Sequence, residues 1–103
     1  MAKIVIEISK EIEDLIPMFL KTVNQNIATI KTAIAANDIE TVRTLGHRMK
    51  GSGGGYGFAK VTELGKAIED GAKSQNLESC SQANDQLADY MANIEVVFVD
   101  RPL

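Results

Sequence analysis

Apolar residues return every three or four positions along most of this chain, and that period fixes what it can fold into. From about Glu11 to Ala36 the stripe is Leu15, Ile16, Phe19, Leu20, Val23, Ile27, Ile30 and Ile34. Such spacing lays one apolar face along an α-helix. Pro17 is tolerated only in a first turn, so the pattern predicts a short helix or turn followed by a long helix starting near Pro17. Asn37 and Asp38 supply turn and N-cap chemistry before a second stripe of Ile39, Val42, Leu45 with Gly46, Met49, Gly53 and Tyr56. Gly57 kinks or ends that helix. A third stripe runs Phe58, Val61, Leu64 with Gly65, Ile68 and Ala72, and "GAKSQN" reads as a connection. The last stripe is Cys80, Ala83, Leu87, Met91, Ile94 and Phe98, with Ser79 as the expected cap. Four amphipathic helices with short connections predict an all-α fold, an antiparallel four-helix bundle with a short N-terminal helix or arm. The alternation at Ile4 to Ile8 resembles a strand, but no partner strand is in sight, so a docked arm or helical turn is expected there.

The 103 residues suit one domain, 1–103, and the 45% apolar content suits one core. A net charge of −3 is a poor match for nucleic acid, which attracts basic patches. No apolar run reaches the about 18 residues of a membrane span. The start "MAKIVIEISKEIEDL" lacks a long apolar segment and a small-residue cleavage site, so it does not read as a secretory signal. Cys80 has no second cysteine to pair with, and a cytoplasmic protein with a buried thiol is the expectation. A monomer is expected.

One segment breaks the regularity. "GHRMKGSGGGYGF", Gly46 to Phe58, holds six of the eight glycines and the single histidine of the chain. On a helical wheel for Ile39 to Tyr56, His47 lies about 160° from the centre of the apolar arc. It therefore faces water, not the core; an exposed histidine without a role is the plain alternative. Gly51 and Gly54 lie nearest to it on the wheel, one and two turns later. Glycine in a helix interior costs about 0.5–1 kcal/mol relative to alanine. Gly51, Gly53, Gly54 and Gly55 would together cost about 2–4 kcal/mol on that scale. Against a total stability of about 5–15 kcal/mol that is a large sacrifice. Gly53 points toward the core, where close helix packing explains it. Gly51 and Gly54 leave open space for a group attached to the imidazole and for a partner's surface, which marks His47 as a residue to be reached and modified.

Other glycine and histidine chemistries fit poorly. The dinucleotide fingerprint fails at Tyr56 when started from Gly51 and at Phe58 when started from Gly53. The nucleotide-loop pattern fails at Lys60 and Ala67 around Gly65-Lys66. One histidine and one distant, core-facing cysteine give a metal site weak support. Ser52, the nearest serine, turns toward the core side, which argues against a catalytic pair with His47.

The stretch "GHRMKGSGGGYGFAKVTELGKAIE", Gly46 to Glu69, resembles the signature of histidine-containing phosphotransfer (HPt) domains. The matching residues are His47, Lys50, Gly51, Ser52, Gly57, Leu64, Ile68 and Glu69. The preceding segment is also similar to that family's upstream helix and turn, so the likeness covers nearly the whole chain. The Gly57-Phe58 pair is similar to the phosphotransfer domain of chemotaxis histidine kinases, where a glutamate on the next helix orients the histidine; Glu69 is the matching position. Gly53 to Gly55 is richer in glycine than the usual pattern, which bears on helix regularity there.

The resemblance implies a phosphocarrier and not a self-sufficient enzyme. His47 would accept a phosphoryl group from a phospho-aspartate or a kinase domain and pass it to a receiver aspartate. Its partners would be a response-regulator receiver domain, a hybrid histidine kinase, or both. A neutral imidazole suits this, because one nitrogen can attack while the other donates a hydrogen bond. On that reading Nε2 attacks and Nδ1–H points to Glu69. Lys50 neutralises phosphate oxygens as a mobile point charge, and Gly51 spares the phosphoryl group a β-carbon. Arg43 and Arg48 add positive potential toward an acidic partner. The plain alternatives are a solvated Lys50, a surface Glu69 and a generic charged face at Arg43 and Arg48. No cofactor of its own is implied, since magnesium would come with the receiver. Two rival readings stay open: a helical interaction module that is never phosphorylated, and a phosphoacceptor domain excised from a chemotaxis-type kinase. A start at Met1 and an end soon after the last stripe favour a free-standing protein.

Overall fold

Each apolar stripe becomes a helix. The computed structural model describes residues 3–102; Met1, Ala2 and Leu103, the ends of the single domain expected over 1–103, lie outside the described residues. The helices are α1 (Ile16–Ala35), α2 (Ile39–Ser52), α3 (Ala59–Lys73) and α4 (Leu77–Asn93). Pro17 sits in the first turn of α1, behind a 3-10 segment at Lys10–Leu15, as its missing N–H requires. Asp38 caps α2 by accepting from the Thr41 amide at 3.2 Å. Asn76, not Ser79, caps α4: its side chain accepts from the Ser79 amide at 3.1 Å. Each helix packs on its neighbours in sequence, and α4 closes the ring against α1. Val23, Ile30, Val42, Met49, Phe58, Val61, Ile68 and Leu87 are sealed at the centre.

The all-α expectation needs one correction. Ile4–Ser9 forms a strand, β1, and Ile94–Val99 forms another, β2; the two pair in parallel with Ile4 opposite Ile94 and Ile8 opposite Phe98. Helix α4 therefore stops at Asn93, and Ile94 and Phe98 belong to the ribbon, not to the helical stripe. The run "IEVVFV" is β-branched and aromatic, which favours a pleated strand over a helix. A two-stranded ribbon alone is marginal in water. This one is anchored by Ile8, which is buried against the bundle. Gly57 makes the seat: it adopts φ +91°, and a β-carbon there would fall 2.7 Å from Ile8 Cδ1.

The glycine segment is the second correction. Helix α2 ends at Ser52, and Gly54–Tyr56 forms a 3-10 turn before the left-handed Gly57. Most of the expected helix penalty therefore does not arise, because Gly53, Gly54 and Gly55 lie in a terminating turn. Phe19 holds that turn to α1, stacking on Tyr56 at 4.6 Å and on Phe58 at 5.1 Å. Gly53 packs as expected: a β-carbon there would meet the Thr62 amide nitrogen at 2.6 Å.

Candidate functional site

The site grows out of the contact between α2 and α3, the most extensive in the bundle. Two small residues set its distance. A β-carbon on Gly46 would sit 2.8 Å from the Glu69 amide nitrogen, and one on Gly65 would sit 2.6 Å from the Lys50 amide nitrogen. The two backbones thus meet where any larger residue would hold them apart. His47 follows Gly46, Lys50 lies one turn further on, and Glu69 lies one turn beyond Gly65. Close packing therefore brings these three side chains to one place on the rim of the bundle.

His47 is 63% exposed as the wheel required, while the Glu69 side chain beside it is only 3% exposed. His47 Nδ1 lies 2.8 Å from Glu69 Oε2. A carboxylate only accepts, so Nδ1 carries the proton and Nε2 of the neutral ring holds the lone pair. Lys50 Nζ lies 2.8 Å from Glu69 Oε1. That contact is an ion pair, and Oε1 has no other partner among the described residues. Lys73 Nζ lies 3.8 Å from Oε2, one turn along α3. The Glu69 carboxyl is held down to about 2, chiefly by Lys50, with His47 and Lys73 adding to it against the opposing effect of burial. It is a charged acceptor that fixes a ring whose other nitrogen is free to react.

The remaining predicted residues divide. Gly51 lies in α2 with nothing within 4 Å of where its β-carbon would be, so no packing need explains it. The wheel that aligned Gly54 with His47 ends with the helix at Ser52; the Gly54 amide instead donates to Thr62 Oγ1 at 2.7 Å, tying the turn to α3. Arg43 pairs with Glu40 at 2.5 Å, and Arg48, which follows His47 in the chain, is exposed. Sequence reasoning missed the Lys50–Glu69 pair and Lys73. The signal for Lys73 was its position four residues after Glu69, an acid-to-base spacing that favours pairing on a helix. Gly51→Ala is expected to raise stability by about 0.5–1 kcal/mol, since the alanine meets no neighbour and favours the helix. A chemical denaturation curve checks this; a loss of stability would mean that Gly51 has a packing role.

A family model for the Hpt domain matches residues 14–96. The chain belongs to the Hpt domain family. Hpt domains carry histidine phosphotransfer in phosphorelay signalling. The match leaves β1 outside and takes in the first half of β2. No curated protein and no solved structure matches the chain. Among the described residues of this Hpt domain no helix is long and apolar enough to cross a membrane, and no group of three metal-ligating side chains comes together.

Proposed function

We propose that this Hpt domain carries a phosphoryl group on His47 Nε2 between aspartates of receiver domains, one of them in a response regulator or hybrid histidine kinase. The observation that carries the proposal is the exposed imidazole whose Nδ1 is bonded to a buried, charged Glu69. The Nε2 lone pair attacks the phosphorus of an aspartyl phosphate. The N–P bond forms, the P–O bond to the aspartate breaks, and the aspartate leaves as a carboxylate. Nδ1 keeps its proton, and Glu69 offsets the positive charge that the ring takes on. The reverse sequence delivers the group to a second aspartate. Lys50 turns to the phosphate oxygens, Gly51 leaves room for them, and Arg43 and Arg48 face the acidic partner. Magnesium comes with the receiver, whose acidic pocket holds it beside the phosphoryl group. The open space over Gly51 supports access at this side of the ring. The lone, buried Cys80 agrees with a reducing cytoplasm.

The test is incubation with a panel of receiver domains charged by acetyl phosphate and magnesium. Label appears on the wild-type chain and is absent from His47→Gln. If both stay unlabelled with every receiver, the carrier reading fails and the non-phosphorylated interaction module replaces it. If only a histidine kinase with ATP labels the wild type, the chain is a kinase's phosphoacceptor domain.

A further inference from the structure

Lys50 is asked to be in two places. In the structure it is paired with Glu69 Oε1, whereas the phosphoryl group on His47 needs it as a counter-charge. When Lys50 leaves, Glu69 stays behind as an almost fully buried carboxylate. A buried charge without a compensating partner is costly, and the ring becomes a cation only once the N–P bond has formed, so the departure of Lys50 toward an incoming phosphoryl group is opposed unless another cation remains. Arg43 is engaged by Glu40, and Lys66 by Asp70 at 2.7 Å. Lys73 faces Glu69 itself, on the side of Oε2 and away from the oxygen that Lys50 takes. It stands in the last turn of α3, where the helix dipole also favours a cation.

We propose that Lys73 is a positioning residue that keeps Glu69 charge-compensated while Lys50 turns from that carboxylate to the phosphoryl group arriving at His47. The inference deepens the phosphoacceptor reading and rests on it. Lys73 touches neither the ring nor the incoming group; it lowers the cost of releasing Lys50.

The experiment uses the full chain and phosphoramidate, a small donor whose P–N bond breaks as the Nε2–P bond forms and ammonia leaves. Phosphohistidine formation is followed by phosphorus NMR in wild type, Lys73→Gln, Lys73→Arg, Lys50→Gln and the double variant Lys50→Gln/Lys73→Gln. Lys73→Gln is expected to label about threefold more slowly, the scale of an ion pair whose cation is exposed. Lys73→Arg stays near wild type. In the Lys50→Gln background, Lys73→Gln makes no further difference, because no lysine remains to be released. A Lys73→Gln rate equal to wild type overturns the inference. So does the same fold-loss with or without Lys50, or a failure of arginine to rescue. In those cases labelled wild type leaves the phosphoacceptor reading standing. Unlabelled wild type overturns that reading and this inference together.

Discussion

Glu69→Gln is expected to slow phosphoryl transfer from a charged receiver by about 10–100-fold, the range for losing a carboxylate that orients a metal-bound imidazole, taken over to this ring. The substitution keeps the shape of the side chain and removes its charge. A carboxylate can only accept, so it leaves Nδ1 one role, that of donor. An amide can accept or donate, and donating to Nδ1 moves the ring proton to Nε2, where it blocks attack. The negative charge that offsets the phosphorylated ring is lost as well. Nitrogen NMR of the imidazole reads the first effect directly: wild type carries its proton on Nδ1, and the variant shows a mixture. Transfer at the wild-type rate with an unchanged tautomer would remove Glu69 from the mechanism.

The same carboxylate gives the fold an acid limb. Its folded pKa, about 2, lies below the ordinary value of 4.5. A depressed carboxylate adds stability that is fully present above the ordinary value and is lost as pH falls through the folded one. The contribution of Glu69 should therefore fade between about pH 4.5 and pH 2, and Glu69→Gln should show a shallower loss of stability across that window.

How far the sequence leads depends on the range of each interaction. The helices follow from contacts three and four residues apart, and the outward turn of His47 follows from the same period. The ribbon does not, because Ile4 meets Ile94 at the other end of the chain and neither strand has a local partner. The end of α2 was blurred by Tyr56, which stays in helical register but reaches the core from a 3-10 turn, held there by Phe19. Glu69 was found through family likeness, since no wheel on α3 states what α2 places opposite it. Lys50 was assigned to the phosphate, and its resting partner, Glu69, becomes visible only once the two helices are packed. Gly46 and Gly65 sat inside apolar stripes, where a glycine beside leucine attracts no notice. Their importance lies in the partner backbone that each one admits.

That last point yields a prediction of opposite sign to Gly51→Ala. Gly46→Ala and Gly65→Ala should each destabilise the bundle by about 1–3 kcal/mol, the range for forcing extra carbon into packed space. The added β-carbons would meet backbone nitrogen at 2.8 Å and 2.6 Å, and backbone cannot swing aside as a flexible side chain can. For a domain of this size each kcal/mol lowers the melting temperature by about 4–8 °C. The helices must separate or slide to relieve the clash, and either movement draws Glu69 from His47. Labelling of His47 should therefore fall in Gly46→Ala even under conditions where the variant is still folded, whereas a surface alanine of equal helix propensity leaves it untouched. Thermal melts and nitrogen NMR of the ring, measured on the same samples, separate the two effects. A stable Gly46→Ala with its imidazole still bonded to Glu69 would show that the close approach of α2 and α3 is not what builds the site.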